Sequence, residues 1–110
     1  MSGQIEQREL GSSGVSVPRI ALGCGNFGGV GSAPEFFGQG LDQPQALALM
    51  DAAWGLGITH FDTADAYGGG RSEAAIGRWI RSRDTGPTIT TKTYNPMGAG
   101  ADRGLAPDRI

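Results

Sequence analysis

Three short β-prone segments alternate with two amphipathic helical segments between residues 19 and 92, and this alternation constrains the fold more than any other feature of the 110-residue chain. Strands separated by helical segments at spacings of about 30 to 40 residues pair in parallel and connect through right-handed crossovers. Arg19-Ile-Ala-Leu-Gly23, entered through Pro18, is expected to be the first strand. Asp42 then offers an N-cap and Pro44 falls in the first turn of a helix, where its missing N–H does no harm. Leu47, Met50 and Trp54 recur there at helical spacing, and Leu49, Ala53 and Leu56 are expected to widen the same apolar face. Gly55 and Gly57 close that helix, and Ile58-Thr-His-Phe-Asp62 reads as the second strand. Arg71-Ser72-Glu73 opens the second helix with Ser72 as the expected cap, and Ala75, Ile76, Trp79 and Ile80 form its apolar face. Thr85-Gly86-Pro87 stops it, and the β-branched run Thr88-Ile-Thr-Thr-Lys92 is the third strand.

Ahead of this pattern, residues 8–18 place two β-prone stretches around Gly-Ser-Ser-Gly and are expected to form a hairpin. The twenty glycines cluster mainly in the connections, at 23–31, 38–40, 68–70 and 98–104, with no repeat of fixed period. Pro107 and Asp108 look like the first turn of a further helix. Three parallel strands with helices on one face leave bare edges that native folds cover or abolish, so the chain is expected to be part of a larger domain.

A formal net charge of −2, with no Lys/Arg cluster longer than two residues, argues against nucleic-acid binding. The polar N-terminus and the short apolar runs argue against a secretory signal or a membrane helix, so a cytoplasmic location is expected. Cys24 is the single cysteine and His60 the single histidine, which excludes an internal disulfide and a zinc ligand set; no metal is expected. Nothing in the pattern specifies an oligomeric state or a particular substrate.

Asp62, Tyr67 and Lys92 all fall at or just beyond strand C-termini, where parallel β/α folds build their sites. Neighbouring strands lie about 4.8 Å apart, within reach of an Asp62–Lys92 ion pair with Tyr67 over both. An ammonium beside a phenol stabilises the phenolate and makes the phenol a better proton donor, which suits carbonyl reduction. Each residue also has a plainer reading: an Asp after a strand is commonly a turn or cap residue, and an exposed Lys is commonly solvated. Lys92 is nevertheless the one lysine among nine basic residues. His60 is expected to be a packed or hydrogen-bonded core residue, and Cys24, Trp54 and Trp79 to be loop or core fillers, the tryptophans on the helical apolar faces. A competing signal is Gly23-Cys-Gly25-Asn-Phe-Gly28, which matches the dinucleotide fingerprint G-x-G-x-x-G. A small Rossmann-like module would need that loop to open a helix at once, whereas Gly29-Val-Gly-Ser-Ala-Pro34 follows it.

Phe61-Asp62-Thr-Ala-Asp-Ala-Tyr67-Gly-Gly-Gly-Arg-Ser-Glu73, together with the later Thr91-Lys92-Thr and the opening Leu10-Gly-x-Ser-Gly hairpin, resembles the aldo-keto reductase family over nearly the whole chain. The resemblance implies the first part of a (β/α)₈ barrel: a hairpin plugging its N-terminal end, then about three β/α units, with residues 1–110 as the N-terminal portion of a single domain cut at the start of its third helix. It implies an NADP-dependent, or NAD-dependent, enzyme interconverting aldehydes or ketones and alcohols. Tyr67 would be the general acid, Lys92 its activating neighbour, and Asp62 the residue that orients Lys92 and touches the nicotinamide ribose. Gly25 and Asn26 would lie beside the cofactor, and Phe27 would form an apolar wall for the substrate next to Tyr67. The family's fourth catalytic member, a His on the next strand, would fall beyond residue 110, and His60 does not replace it. A barrel of this type needs about 250 residues, so the 110-residue chain alone is expected to be inactive. Some relatives, such as potassium-channel β subunits, are non-catalytic cofactor-binding regulators, which leaves a second class of function open.

Overall fold

The computed structural model describes residues 5–95, 104, 105 and 107. The hairpin is present as β1 (Gln7–Glu9) and β2 (Ser16–Pro18), paired antiparallel with Arg8 opposite Val17. It is tied down at its base, because Ile5 N–H donates to Leu56 O at 2.9 Å and Gln7 Nε2 to Gly57 O at 3.1 Å. Those acceptors lie in the turn leading into the central strand, so the hairpin sits at the N-terminal end of the sheet, as the resemblance implies.

The sheet itself consists of β3 (Leu22–Gly23), β4 (His60–Asp62) and β5 (Thr88–Thr90), all parallel, with β4 in the middle. The helices are α1 (Gln43–Gly55), between β3 and β4, and α2 (Arg71–Arg83), between β4 and β5. Each strand is shorter than its sequence pattern. Arg19 N–H continues the hairpin by donating to Glu6 O, Ile58 N–H is still held by Ala53 O of α1, and Lys92 O accepts from Asp65 N–H. The Arg19 and Ile58 groups are satisfied outside the sheet ladder, which delays the start of β3 and β4.

Asp42 caps α1 with a full capping box: its carboxylate accepts from Gln45 N–H and Gln45 Oε1 accepts from Asp42 N–H, both at 2.9 Å. The buried line of α1 is Ala46, Met50 and Ala53, with Leu47 and Trp54 packed alongside. Leu49 and Leu56, expected on that face, are exposed, because their stripe turns away from both the sheet and α2. In α2, Ala75, Ile76 and Trp79 are buried. Its N-cap is Gly70 at φ 99°, not Ser72, and its C-terminus is closed by Asp84 in the left-handed conformation.

Alternation along β4 divides the molecule. Phe61 faces the helices and packs 5.3 Å from Trp79, whose other neighbour is Trp54 at 5.4 Å, edge to face. Phe27, Phe61, Met50 and Trp79 are essentially fully buried. Side chains of this kind contribute about 1.5–3 kcal/mol each on burial, far more than an exposed ion pair such as the one joining the two helices between Asp51 and Arg83. The core therefore lies between the sheet and its helix layer. His60 and Asp62 take the opposite face, and both ring nitrogens of His60 meet β5 hydroxyls, Thr88 Oγ1 at 2.7 Å and Thr90 Oγ1 at 2.9 Å. Among the described residues no helix is long and apolar enough to cross a membrane. The helix start expected at Pro107 and Asp108 lies largely outside the described residues.

Candidate active site

The register that sets Asp62 opposite Thr90 brings the carboxylate within reach of a side chain two residues further along. Lys92 fills that place. Its ammonium donates to Asp62 Oδ1 at 2.9 Å, to Thr63 O at 2.7 Å and to the Tyr67 hydroxyl at 3.3 Å. Three donors thus meet three acceptors, which fixes a side chain that is otherwise long and flexible. The ion pair remains open to solvent, with the Lys92 and Asp62 side chains 45% and 40% exposed. Partial burial pulls the Lys92 pKa down, but the bonds to Asp62 and Tyr67 outweigh it and hold it above the ordinary lysine value. Lys92 is therefore a cation at neutral pH. Because the Tyr67 oxygen accepts from that cation, its own proton is free to point elsewhere.

Tyr67 is placed by glycines. It opens the turn Tyr67–Gly70, in which Gly68 and Gly69 adopt left-handed conformations. Gly68 N–H donates to Gly31 O at 3.0 Å, and a Cβ on Gly68 would stand 2.6 Å from Phe27 O. The turn after β4 thus rests directly on the glycine-rich loop after β3. That loop folds back on itself through Gly31 N–H to Gly25 O at 2.7 Å, which leaves Gly25 against Tyr67; a Cβ there would touch the ring at 3.8 Å.

The structure brings together Asp62, Tyr67, Lys92 and Gly25. Asn26 is exposed one residue on, its carbonyl tied to Leu41 N–H at 2.8 Å. Phe27 departs from expectation. Phe27 N–H bonds to Cys24 O and Gly28 N–H to Leu41 O, and the resulting turn buries the ring beneath the loop with Met50, Ala46 and Ala75 instead of facing it toward Tyr67. Cys24 is fully buried, and burial first, then the charge of Asp62, push its thiol up to about 12. The G-x-G-x-x-G segment opens no helix: a single 3₁₀ turn, Pro34–Phe36, follows, and α1 begins only at Gln43. Two residues of the site were missed from sequence, Thr63 and Ser72. Thr63 sits inside the Phe-Asp-Thr-Ala motif, and Ser72 was read as a cap because serine in a first turn usually is one.

Residues 19–108 match the sequence model of the Aldo/keto reductase family. The chain belongs to the aldo/keto reductase family. Among curated aldo/keto reductase relatives, it is similar to a versiconal hemiacetal acetate reductase of Aspergillus parasiticus, 34% identical over 82% of this chain and 26% of that protein. It is likewise similar to a pyridoxal 4-dehydrogenase of Microbacterium luteolum, 37% identical over 84% of this chain and 25% of that protein. A solved aldo-keto reductase from Bacillus halodurans, in its holo form, superposes with a TM-score of 0.68 at 27% identity, over 93% of this chain and 30% of its own. This aldo/keto reductase chain therefore spans about a quarter of the length of the curated relatives it matches. Its hairpin, three parallel strands and two helices correspond to the first part of a (β/α)₈ barrel.

Proposed function

We propose that this chain carries the proton-donating part of a nicotinamide-dependent site that interconverts aldehydes or ketones and alcohols, within the N-terminal portion of a single barrel domain in the cytoplasm. The observation that supports it is the Lys92 ammonium held between Asp62 and the Tyr67 hydroxyl, at 2.9 and 3.3 Å. The ammonium faces the oxygen on which negative charge develops as Tyr67 passes its proton to a carbonyl oxygen, and a fixed cation there stabilises that developing charge. Asp62 and the Thr63 carbonyl keep the ammonium in place while the phenol cycles between its two forms. In the oxidative direction the phenolate takes the alcohol proton back.

The residues present fit a nicotinamide nucleotide. Asp62 retains a second carboxylate oxygen for ribose hydroxyls, and Gly25 leaves clear the edge of the Tyr67 ring that any side chain would cover. Gly25, Asn26 and Asp62 are assigned to the cofactor, and Tyr67 to the substrate oxygen. When bound, the nicotinamide supplies the hydride for the carbonyl carbon. NADP is the preferred form, with NAD the alternative, on the family resemblance. The relatives' names include both a reductase and a dehydrogenase, consistent with small carbonyl and alcohol substrates taken in either direction.

Tyr67→Phe tests the reading. Turnover of an aldehyde by the complete barrel protein should fall by about 10² to 10⁴-fold, the usual contribution of a positioned acid, while cofactor affinity stays unchanged. Unchanged turnover would remove Tyr67 from the mechanism. Cofactor binding with no turnover of any carbonyl by the complete barrel protein would favour a regulatory role for the same fold.

A further inference from the structure

The hydroxyl of Ser72 does not cap its helix. It is fully buried, donates to Cys24 O at 2.9 Å and lies 2.7 Å from Thr63 Oγ1. A carbonyl can only accept, so the Ser72 proton goes to Cys24 and the Thr63 proton goes to Ser72. The result is a directed chain from the Thr63 hydroxyl through Ser72 to the Cys24 carbonyl, joining the exit of β4, the first turn of α2 and the exit of β3. All three groups are satisfied by one another.

Thr63 is thereby held at three points. Its N–H donates to Thr90 O at 2.8 Å, its hydroxyl donates to Ser72, and its carbonyl accepts the Lys92 ammonium at 2.7 Å, the shortest of the three bonds that ammonium makes. Cys24 is equally constrained: its N–H bonds to Asp62 O at 2.9 Å and its carbonyl is fixed by Ser72, immediately before Gly25. We propose that Ser72 is a positioning residue for the site, orienting through Thr63 the carbonyl that anchors Lys92 and holding the start of the glycine-rich loop beside it. This extends the proposed function, since the ammonium being positioned is the one assigned there to activate Tyr67. Breaking such a chain is costly, because it leaves buried polar groups without partners.

The test follows the Lys92 side chain directly and needs no turnover. Its ε-carbon resonance, assigned by its loss in Lys92→Arg, is titrated in the native protein and in Ser72→Ala, Thr63→Ser and Thr63→Val. The native resonance should titrate above the ordinary lysine value, because Asp62 and Tyr67 bond the ammonium. Ser72→Ala should bring the midpoint down toward the ordinary value, and Thr63→Ser, which keeps the hydroxyl chain, should leave the native midpoint in place. A merely structural role would lower the melting temperature of Ser72→Ala and leave the Lys92 midpoint where it was; that result in the folded variant overturns the proposal. Thr63→Val removes the donor at nearly constant shape and leaves Ser72 bonded to Cys24, so it carries the test if Ser72→Ala does not fold. A native midpoint in Thr63→Val also overturns it. Failure of the Tyr67→Phe experiment, by contrast, would reject the reaction and leave this titration result standing.

Discussion

Lys92 lies 2.9 Å from Asp62 although thirty residues separate them in the chain, because the β4–β5 register sets Asp62 opposite Thr90, two residues before Lys92. Beyond that register, Asp65 N–H donates to Lys92 O at 3.0 Å and holds the two strand exits side by side. The pair is thus a product of sheet register, and it brings Tyr67 with it.

Gly68 and Gly11 separate conformational cost from crowding. Both have left-handed φ, 62° and 59°, but a Cβ on Gly68 meets Phe27 O at 2.6 Å whereas one on Gly11 meets nothing within 4 Å. Gly11→Ala should lose about 1–2 kcal/mol for the left-handed backbone alone. Gly68→Ala should lose clearly more, as measured by urea denaturation, and should displace Tyr67.

Cys24 reports on alkaline stability. Its thiol rises from about 9.0 to about 12, mainly through burial, so the folded state keeps a proton that the unfolded state releases. Its contribution is therefore constant below pH 9 and is lost as pH rises from there toward 12. The fall in melting temperature across that window should be shallower in Cys24→Ala. The native thiol should react with a soluble thiol reagent at pH 8 only as fast as the protein unfolds.

Asp51 works in the opposite direction. Arg83, through bonds at 2.9 and 2.8 Å, and then Trp79 Nε1, at 2.8 Å, hold its carboxyl below the usual value. Its contribution is present above the ordinary aspartate pKa of about 3.9 and is lost as pH falls through the lowered value. Asp51→Asn should lower the melting temperature at pH 7 and flatten its decline below pH 4.

Met50 and Leu49 are neighbours in sequence with different fates. Met50 is fully buried and Leu49 is 39% exposed. Met50→Ala should cost about 2–5 kcal/mol in denaturant unfolding, and Leu49→Ala about 0.5 or less.

The Asp42 cap of α1 was legible in sequence because its partner, the Gln45 N–H, lies within one turn and no distant residue takes part; the reciprocal bond from Gln45 was not read. The order of strands and helices was legible for a similar reason: periodicity is written in neighbouring residues. The site trio came from strand-end positions and from a motif, Asp62 to Tyr67 with a later Lys92, whose spacing travels with the chain. Side-chain destinations were a different matter. That Leu49 and Leu56 face outward, that Phe27 turns under its loop, and that the Ser72 hydroxyl reaches Cys24, forty-eight residues away, depends on which elements come to lie against one another. Local sequence determines where backbone groups find near partners. Only the tertiary packing of β3, β4 and α2 supplies the buried acceptors and donors that decide what Ser72, Thr63 and Lys92 are bonded to.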